Sequence, residues 1–353
     1  MKQPIHGGNL VWAAEQIGCP VSSILDFSAS INPLGPPQSV LTAIQWALST
    51  VQHYPDPNYT ELRQALSEWH QLPSEWILPG NGAAELLTWA GCELARQKET
   101  YVMIPGFKDY WRGLQAFGAN IIPVSFPWQS SDALKCVYNV GENDAGIIIN
   151  NPHNPTGKLF TRETLLPLLE RFSLVVVDEA FMDFVDPAQE ESLISVIADY
   201  PNLIIVRSLT KFYSLPGLRL GYAIAHPQRI QKWKSWRDPW PVNSLAVQAA
   251  IAAIEDKEFT EQTREWLSVS RQQLLTGLSQ IKGLNTFPNY VNFILVETEI
   301  PGPKLQQKLL QKYHILIRDC LNFETLGDRY FRIAVRTSED NNKLLEGLSD
   351  ICG

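Results

Sequence analysis

Between about residue 75 and residue 225, short and wholly apolar runs alternate with longer stretches in which apolar residues recur every three or four positions. The runs at 101–104, 120–124, 146–150, 174–178, 203–207 and 218–225 include several rich in Val and Ile, the composition of strands buried on both faces of a mostly parallel sheet. Stretches at 83–96 and 162–172 between them carry helical spacing. This alternation predicts a three-layer α/β/α unit built on a mostly parallel sheet. After Pro239 the pattern changes. Residues 243–277 read as one long helix, 292–297 as a strand, 303–313 as a helix, 315–318 and 330–335 as strands, and the final residues as a helix. The expected division is a large domain over 37–242 and a smaller α+β domain formed by 243–353 with the loop-rich segment 1–36.

Composition narrows the class without naming a function. The 353 residues are 45% hydrophobic and 19% charged, enough apolar surface for a large core. A formal net charge of −8 lacks the basic stripe of a nucleic-acid surface. The five cysteines are scattered with no C-x-x-C or Cys/His metal spacing, so reduced thiols, no metal and a cytoplasmic location are expected. No signal-peptide pattern and no membrane-length apolar run is visible. Eleven tryptophans spread along the chain read as packing.

Four short segments carry candidate chemistry. Ser208-Leu209-Thr210-Lys211 follows an apolar run and leads to Gly217-Leu218-Arg219-Leu220-Gly221. Alone, Lys211 reads as a solvated loop lysine, but Ser208 and Arg219 lie close enough in sequence to serve one phosphate. Pro79-Gly80-Asn81-Gly82-Ala83-Ala84 opens a helix, where small residues let an anion approach backbone N–H groups. Asp178, in Val177-Asp178-Glu179-Ala180-Phe181, closes a buried strand at the edge where open α/β sheets bind ligands. Asn154, in Asn150-Asn151-Pro152-His153-Asn154-Pro155-Thr156-Gly157, follows another strand. Each segment has an ordinary reading as a turn or a helix cap.

Taken in this order, the four segments resemble those of the fold-type-I pyridoxal-phosphate enzymes, the aspartate-aminotransferase superfamily, over essentially the whole chain. The resemblance implies pyridoxal 5'-phosphate as cofactor, bonded covalently to Lys211. Asp178 then pairs with the pyridine nitrogen and Asn154 contacts the ring oxygen. Ala83, Ala84, Ser208 and Arg219 hold the phosphate, and Phe107 stacks on the ring. Tyr54 reaches the cofactor phosphate of a second subunit, which implies a homodimer.

Two branches of the superfamily compete. His6-Gly7-Gly8-Asn9, the segment Asp26-Phe27-Ser28-Ala29-Ser30-Ile31-Asn32-Pro33, Phe181 where the aminotransferases usually have Tyr, and Ile317-Arg318-Asp319-Cys320 are more similar to the L-threonine-O-3-phosphate decarboxylases of cobalamin synthesis. The other branch is the histidinol-phosphate aminotransferases. The decarboxylase resemblance implies a phosphorylated amino-acid substrate held by His6, Gly7, Ser30, Asn154, Arg318 and Arg332, with the N-terminal segment as a cover. Ser30 departs from the Asn expected at that position. Arg336 reads equally as a substrate group or as a surface ion pair. The substrate bond held perpendicular to the cofactor ring is the one that breaks, and the residues leave open which bond that is. A cofactor-binding transcription regulator is a remote alternative, because the enzyme-like region starts at His6 and leaves no room for a DNA-binding domain. A nucleotide-binding α/β protein would leave Lys211 without a role.

Overall fold

The computed structural model describes residues 6–130, 132–138, 140 and 144–353. Residues 1–5, part of the segment expected to join the small domain, lie outside them. A two-residue strand β1 (Leu25–Asp26) precedes a seven-stranded sheet made of β2 (Ile77–Asn81), β3 (Glu99–Ile104), β4 (Ile121–Ser125), β5 (Ala145–Asn150), β6 (Leu174–Asp178), β7 (Leu203–Ser208) and β8 (Leu220–Ala225). Their order across the sheet is β2-β8-β7-β6-β5-β3-β4. The pairs from β4 through β7 are parallel, whereas β8 runs antiparallel to both β7 and β2.

The apolar runs are explained by burial on two sides. Side chains alternate across a strand, so Val102, Ile148, Val176, Ile204 and Ala223 pack with helices Gly82–Leu94, Asp109–Gln115 and Pro227–Trp236. Tyr101, Ile147, Val175, Ile205 and Tyr222 pack in the core on the opposite face, with helices Thr60–His70 and Arg162–Arg171. The result is the expected α/β/α sandwich. One strand departs from expectation: β2 is a strand, not merely a turn into a helix. Pro79 and Gly80 weaken its strand signal, and Pro is tolerated because β2 pairs on one side only, with β8, as an edge strand permits.

Downstream, β9 (Leu284–Thr286), β10 (Phe293–Thr298), β12 (Arg318–Asp319) and β13 (Tyr330–Ala334) form an antiparallel sheet, and β11 (Ile315–Leu316) pairs instead with β1. The expected strand 315–318 is therefore two short strands serving different sheets. The expected long helix is also two, Ser244–Glu255 and Lys257–Ser279. Asp256 divides them, its side chain accepting from the Phe259 N–H as an N-cap, which satisfies a helix-start donor. Helix Ser244–Glu255 lies against helices Gln38–Ala47 and Thr60–His70.

At the carboxyl ends of β6 and β7 sits a buried ion cluster. Arg207 Nε donates to Glu179 Oε2 at 2.9 Å, its Nη1 to Asp183 at 2.7 Å and its Nη2 to Ser192 Oγ at 3.0 Å. Glu179 also accepts from Ser192 Oγ and from the Leu193 N–H. Burial opposes charge on Arg207, but the Glu179 and Asp183 carboxylates outweigh it and keep the guanidinium protonated. Burial pushes the Glu179 and Asp183 carboxyls upward, against the pull of Arg207.

Arg207→Met strands both acids, and removing one partner of a buried pair costs about 3–5 kcal/mol. An acid whose folded pKa is raised favours folding while protonated and loses that contribution as pH rises through the raised value. The deficit of the variant is therefore smaller at pH 5 than at pH 8 in denaturant unfolding. Equal deficits at both pH values would show that the acids do not depend on Arg207.

Candidate functional site

The carboxyl ends of β5, β6 and β7 lie side by side, and they gather the predicted residues at one edge of the sheet. Asp178, the last residue of β6, pairs in register with Asn150 of β5. The Asn150 amide donates to the Asp178 carbonyl at 2.8 Å, and its Oδ1 accepts from the Asn154 N–H at 2.7 Å. Asn150 thereby anchors the loop that carries Asn154. The Asp178 carboxylate is buried; Oδ2 accepts from the Tyr110 hydroxyl at 2.7 Å and Oδ1 from the Ala180 N–H at 3.0 Å. Burial raises its pKa, while the Tyr110 bond and the charge of Lys211 pull it back.

Lys211 lies just beyond β7 with Nζ 4.9 Å from the centroid of the Phe181 ring. Burial lowers its pKa; Asp178 opposes this, and Arg219 and Arg332 add to it. A lysine so placed supplies more neutral amine at working pH than a solvated one, which is how an amine nucleophile is activated.

An anion cradle adjoins it. Gly82 starts helix Gly82–Leu94 at φ +75°, and a Cβ there would lie 2.7 Å from Arg219 Nη2. A Cβ at Gly221 would lie 2.6 Å from the Ala83 nitrogen. Gly221 pairs with Gly80 on one side and with Ser208 on the other, so the strand register brings Ser208, Ala83 and the Arg219 turn together. Ser208 Oγ lies 2.8 Å from the hydroxyl of Thr210. Unpaired N–H groups at a helix start, with hydroxyls and a guanidinium nearby, are the donor set for a phosphate.

A pocket of about 170 Å³ is lined by Lys211 and Phe107 together with all six predicted substrate residues, His6, Gly7, Ser30, Asn154, Arg318 and Arg332. Arg318 and Arg332 are direct cross-strand partners of β12 and β13. Arg332 Nη1 donates to Asn154 Oδ1 at 2.5 Å and Nη2 to the Ser28 carbonyl at 3.3 Å, with its guanidinium 4.8 Å from the centroid of Phe293. Arg318 Nη2 donates to Asn322 Oδ1 at 2.6 Å. Burial lowers the Arg332 pKa to about 10, and Arg318 adds to this; the group stays cationic at neutral pH. Like charges placed directly opposite on a sheet repel. An anion between them removes that cost.

Ser30 is buried in this pocket, and its hydroxyl has no hydrogen-bond partner among the described residues. Gly7 packs so closely that a Cβ would lie 2.1 Å from the Ser28 carbonyl oxygen. Next to it the Gly8 N–H donates to Ser28 Oγ at 2.8 Å, and that hydroxyl donates to Asp26 at 2.6 Å. His6 reaches Phe107, ring centroids 5.7 Å apart, and burial lowers its pKa. Arg336 does not line the pocket. Its Nε donates to Asp340 at 3.0 Å and its Nη1 to the Asp26 carbonyl at 3.1 Å, so it ties down the base of the Asp26–Ser28–Gly8 chain. Its side chain is a packed strut, partly buried.

Tyr54 is not brought to the Lys211 pocket. It is 78% exposed, stacks on Trp240 at 4.3 Å and lines a separate cavity of about 780 Å³ with Trp46, His53, Asp56 and Tyr59. The sequence reading missed Tyr110, Thr210 and Asn322. Thr210 lay inside the Ser208–Lys211 segment, and Tyr110 falls one helical turn after Phe107; Asn322 sits in a loop with no pattern to mark it.

Comparison with known proteins places the chain in a family. The chain is 36% identical to the threonine-phosphate decarboxylase of Salmonella typhimurium over 98% of this chain and 96% of that one. It is 32% identical to the histidinol-phosphate aminotransferase of Symbiobacterium thermophilum over 100% and 97%. The fold is shared with a histidinol-phosphate aminotransferase from Sinorhizobium meliloti solved in complex with pyridoxal-5'-phosphate, at a TM-score of 0.86, 23% identity and coverage of 98% of this chain and 97% of that one. The model of the family described as aminotransferase class I and II matches residues 22–348, and the chain belongs to that family.

Proposed function

We propose that this protein uses pyridoxal 5'-phosphate to decarboxylate L-threonine O-3-phosphate to (R)-1-aminopropan-2-ol O-phosphate, a reaction of cobalamin synthesis. The carrying observation is the Arg318–Arg332 pair facing Lys211 across a small pocket that His6 and Gly7 close. Such a pocket suits a compact substrate with two anionic ends, a carboxylate and a phosphate. The similarity to threonine-phosphate decarboxylase over nearly the full length of both chains supports the same reading.

The residues present fit the cofactor. Gly82, Ala83, Ala84, Ser208 and Arg219 would hold its phosphate, Asp178 its ring nitrogen, Asn154 its ring oxygen and Phe107 its ring face. Lys211 would hold its aldehyde carbon. When bound, the group supplies an electron-accepting ring. The protein's own part is to bind and orient. Arg332, buried and fixed through Asn154 and Ser28, holds one substrate anion; Arg318, braced by Asn322, is placed to hold the second. Ser30 would offer its buried hydroxyl to the phosphate end. With both ends anchored, the substrate's orientation selects the bond that breaks. Lys211, whose pKa burial lowers, can take up a proton at Nζ and then give it to the substrate's α-carbon in place of the lost carboxyl group. His6 and Gly7 exclude water from above.

The same reading takes the chain to act as a homodimer, with exposed Tyr54 serving the cofactor phosphate of the second subunit. It also assigns the cofactor to the 37–242 unit and the substrate anions largely to residues of 1–36 and 243–353. Among the described residues no helix is long and apolar enough to cross a membrane.

Purified protein given pyridoxal phosphate is expected to show a band at about 410–430 nm, lost in Lys211→Ala; no band in the unmodified protein would sink the cofactor assignment. Gly221→Ala pushes a methyl group against the Ala83 nitrogen and is expected to weaken pyridoxal-phosphate binding at least tenfold, read by titration of that band. Incubation with L-threonine phosphate should release carbon dioxide. Glutamate formed from histidinol phosphate and 2-oxoglutarate, with no carbon dioxide from threonine phosphate, would establish the aminotransferase reading instead.

A further inference from the structure

Tyr110 is buried in the first turn of helix Asp109–Gln115, and its hydroxyl donates to Asp178 Oδ2. Its ring meets that of Phe107 edge-on, centroids 5.5 Å apart at 84°. One side chain therefore touches both the group assigned to the cofactor's ring face and the group assigned to its ring nitrogen. We propose that Tyr110 is a positioning residue for the cofactor, fixing the Asp178 carboxylate in the orientation that receives the ring nitrogen. The proposal rests on the pyridoxal-phosphate reading above.

The physical case begins with the carboxylate. A carboxylate on one χ2 torsion can turn about its own axis unless both oxygens are engaged. Here Oδ1 is held by the Ala180 N–H and Oδ2 by Tyr110. The first bond is local, two residues along the chain; the second crosses from helix Asp109–Gln115 to the end of β6. Among the described residues, only the Tyr110 bond ties the Asp178 carboxylate to an element outside its own loop. Tyr110 can act only as the donor, since burial and the neighbouring Asp178 charge hold its own pKa well above the ordinary phenol value. The other charged groups acting on Asp178 are Lys211, which favours its ionised form, and Asp109, which opposes it. Each oxygen keeps further lone-pair capacity for an N–H from a ligand.

A packing role and a positioning role make different predictions. Tyr110→Phe keeps the edge-on contact with Phe107 and removes only the hydroxyl. A hydrogen bond to a charged group is worth enough that pyridoxal-phosphate affinity should fall about ten- to a hundredfold. The acid limb of the affinity–pH profile should also move to higher pH. Losing the donor raises the Asp178 pKa, so the carboxylate becomes protonated, and useless to the ring nitrogen, at a higher pH than before. In an Asp178→Asn background, Tyr110→Phe should change the affinity by less than about twofold, because its route of action is gone.

The measurement is titration of the wild type, both single variants and the double variant with pyridoxal phosphate from pH 5 to 9, with thermal melts of the four unliganded proteins alongside. Equal losses in both backgrounds, or an unchanged affinity and acid limb in Tyr110→Phe whatever its melting temperature, would leave Tyr110 as packing and overturn the proposal. Failure of the wild type to bind would instead overturn the cofactor reading.

Discussion

The site depends on the alternation of side chains at the ends of two adjacent strands. Asp178 and Ser208 point to one face of the sheet, while Glu179 and Arg207 point to the other. The Arg207 cluster therefore clamps, from behind, the two strand ends that carry the functional groups in front. Glu179 is completely buried and Arg207 almost so, which makes their contacts rigid rather than screened. The loop leading to Lys211 starts from Ser208, and the loop bearing Phe181 starts from Glu179. Both are held by the same guanidinium, which helps fix Lys211 relative to the Asp178 carboxylate.

On the opposite side of the pocket a second constraint works by repulsion. Arg318 and Arg332 face one another across β12 and β13 with neutral acceptors, Asn322 and Asn154, at the hydrogen-bond distances found. An amide oxygen accepts from the donors without cancelling the charge of the guanidinium. Asn154 links the two halves: its Oδ1 accepts from Arg332, and Asn150, in register with Asp178, holds its backbone.

Much of this was legible in the sequence. The sheet could be read because two-sided burial leaves uninterrupted Val and Ile runs, and Lys211, Asp178 and Asn154 stood at strand ends in a recognisable order. What escaped notice depended on pairing rather than on local pattern. Strand β2 was obscured by Pro79 and Gly80, which an edge strand tolerates and a central one does not. The break at Asp256 shows as a single capping residue inside an otherwise helical stretch. The split at Ile317 exists because β11 answers to β1, nearly three hundred residues earlier, a partnership no local window contains. Tyr110 and Asn322 act on other protein groups, so their side chains carry no motif of their own; Arg336 was ambiguous for the same reason.

The opposed arginines have a kinetic meaning as well. The chain carries a formal charge of −8, so at long range it repels an anionic substrate that its pocket attracts. At physiological salt, fields from exposed charges fade over about 8 Å, whereas charges set in a cleft with low-dielectric walls focus theirs outward through the opening. A substrate therefore drifts past most of the surface without strong guidance and is drawn in only near the mouth beside His6. The two buried cations concentrate the pull on anions at the mouth of their own pocket, against the acidity of the chain as a whole.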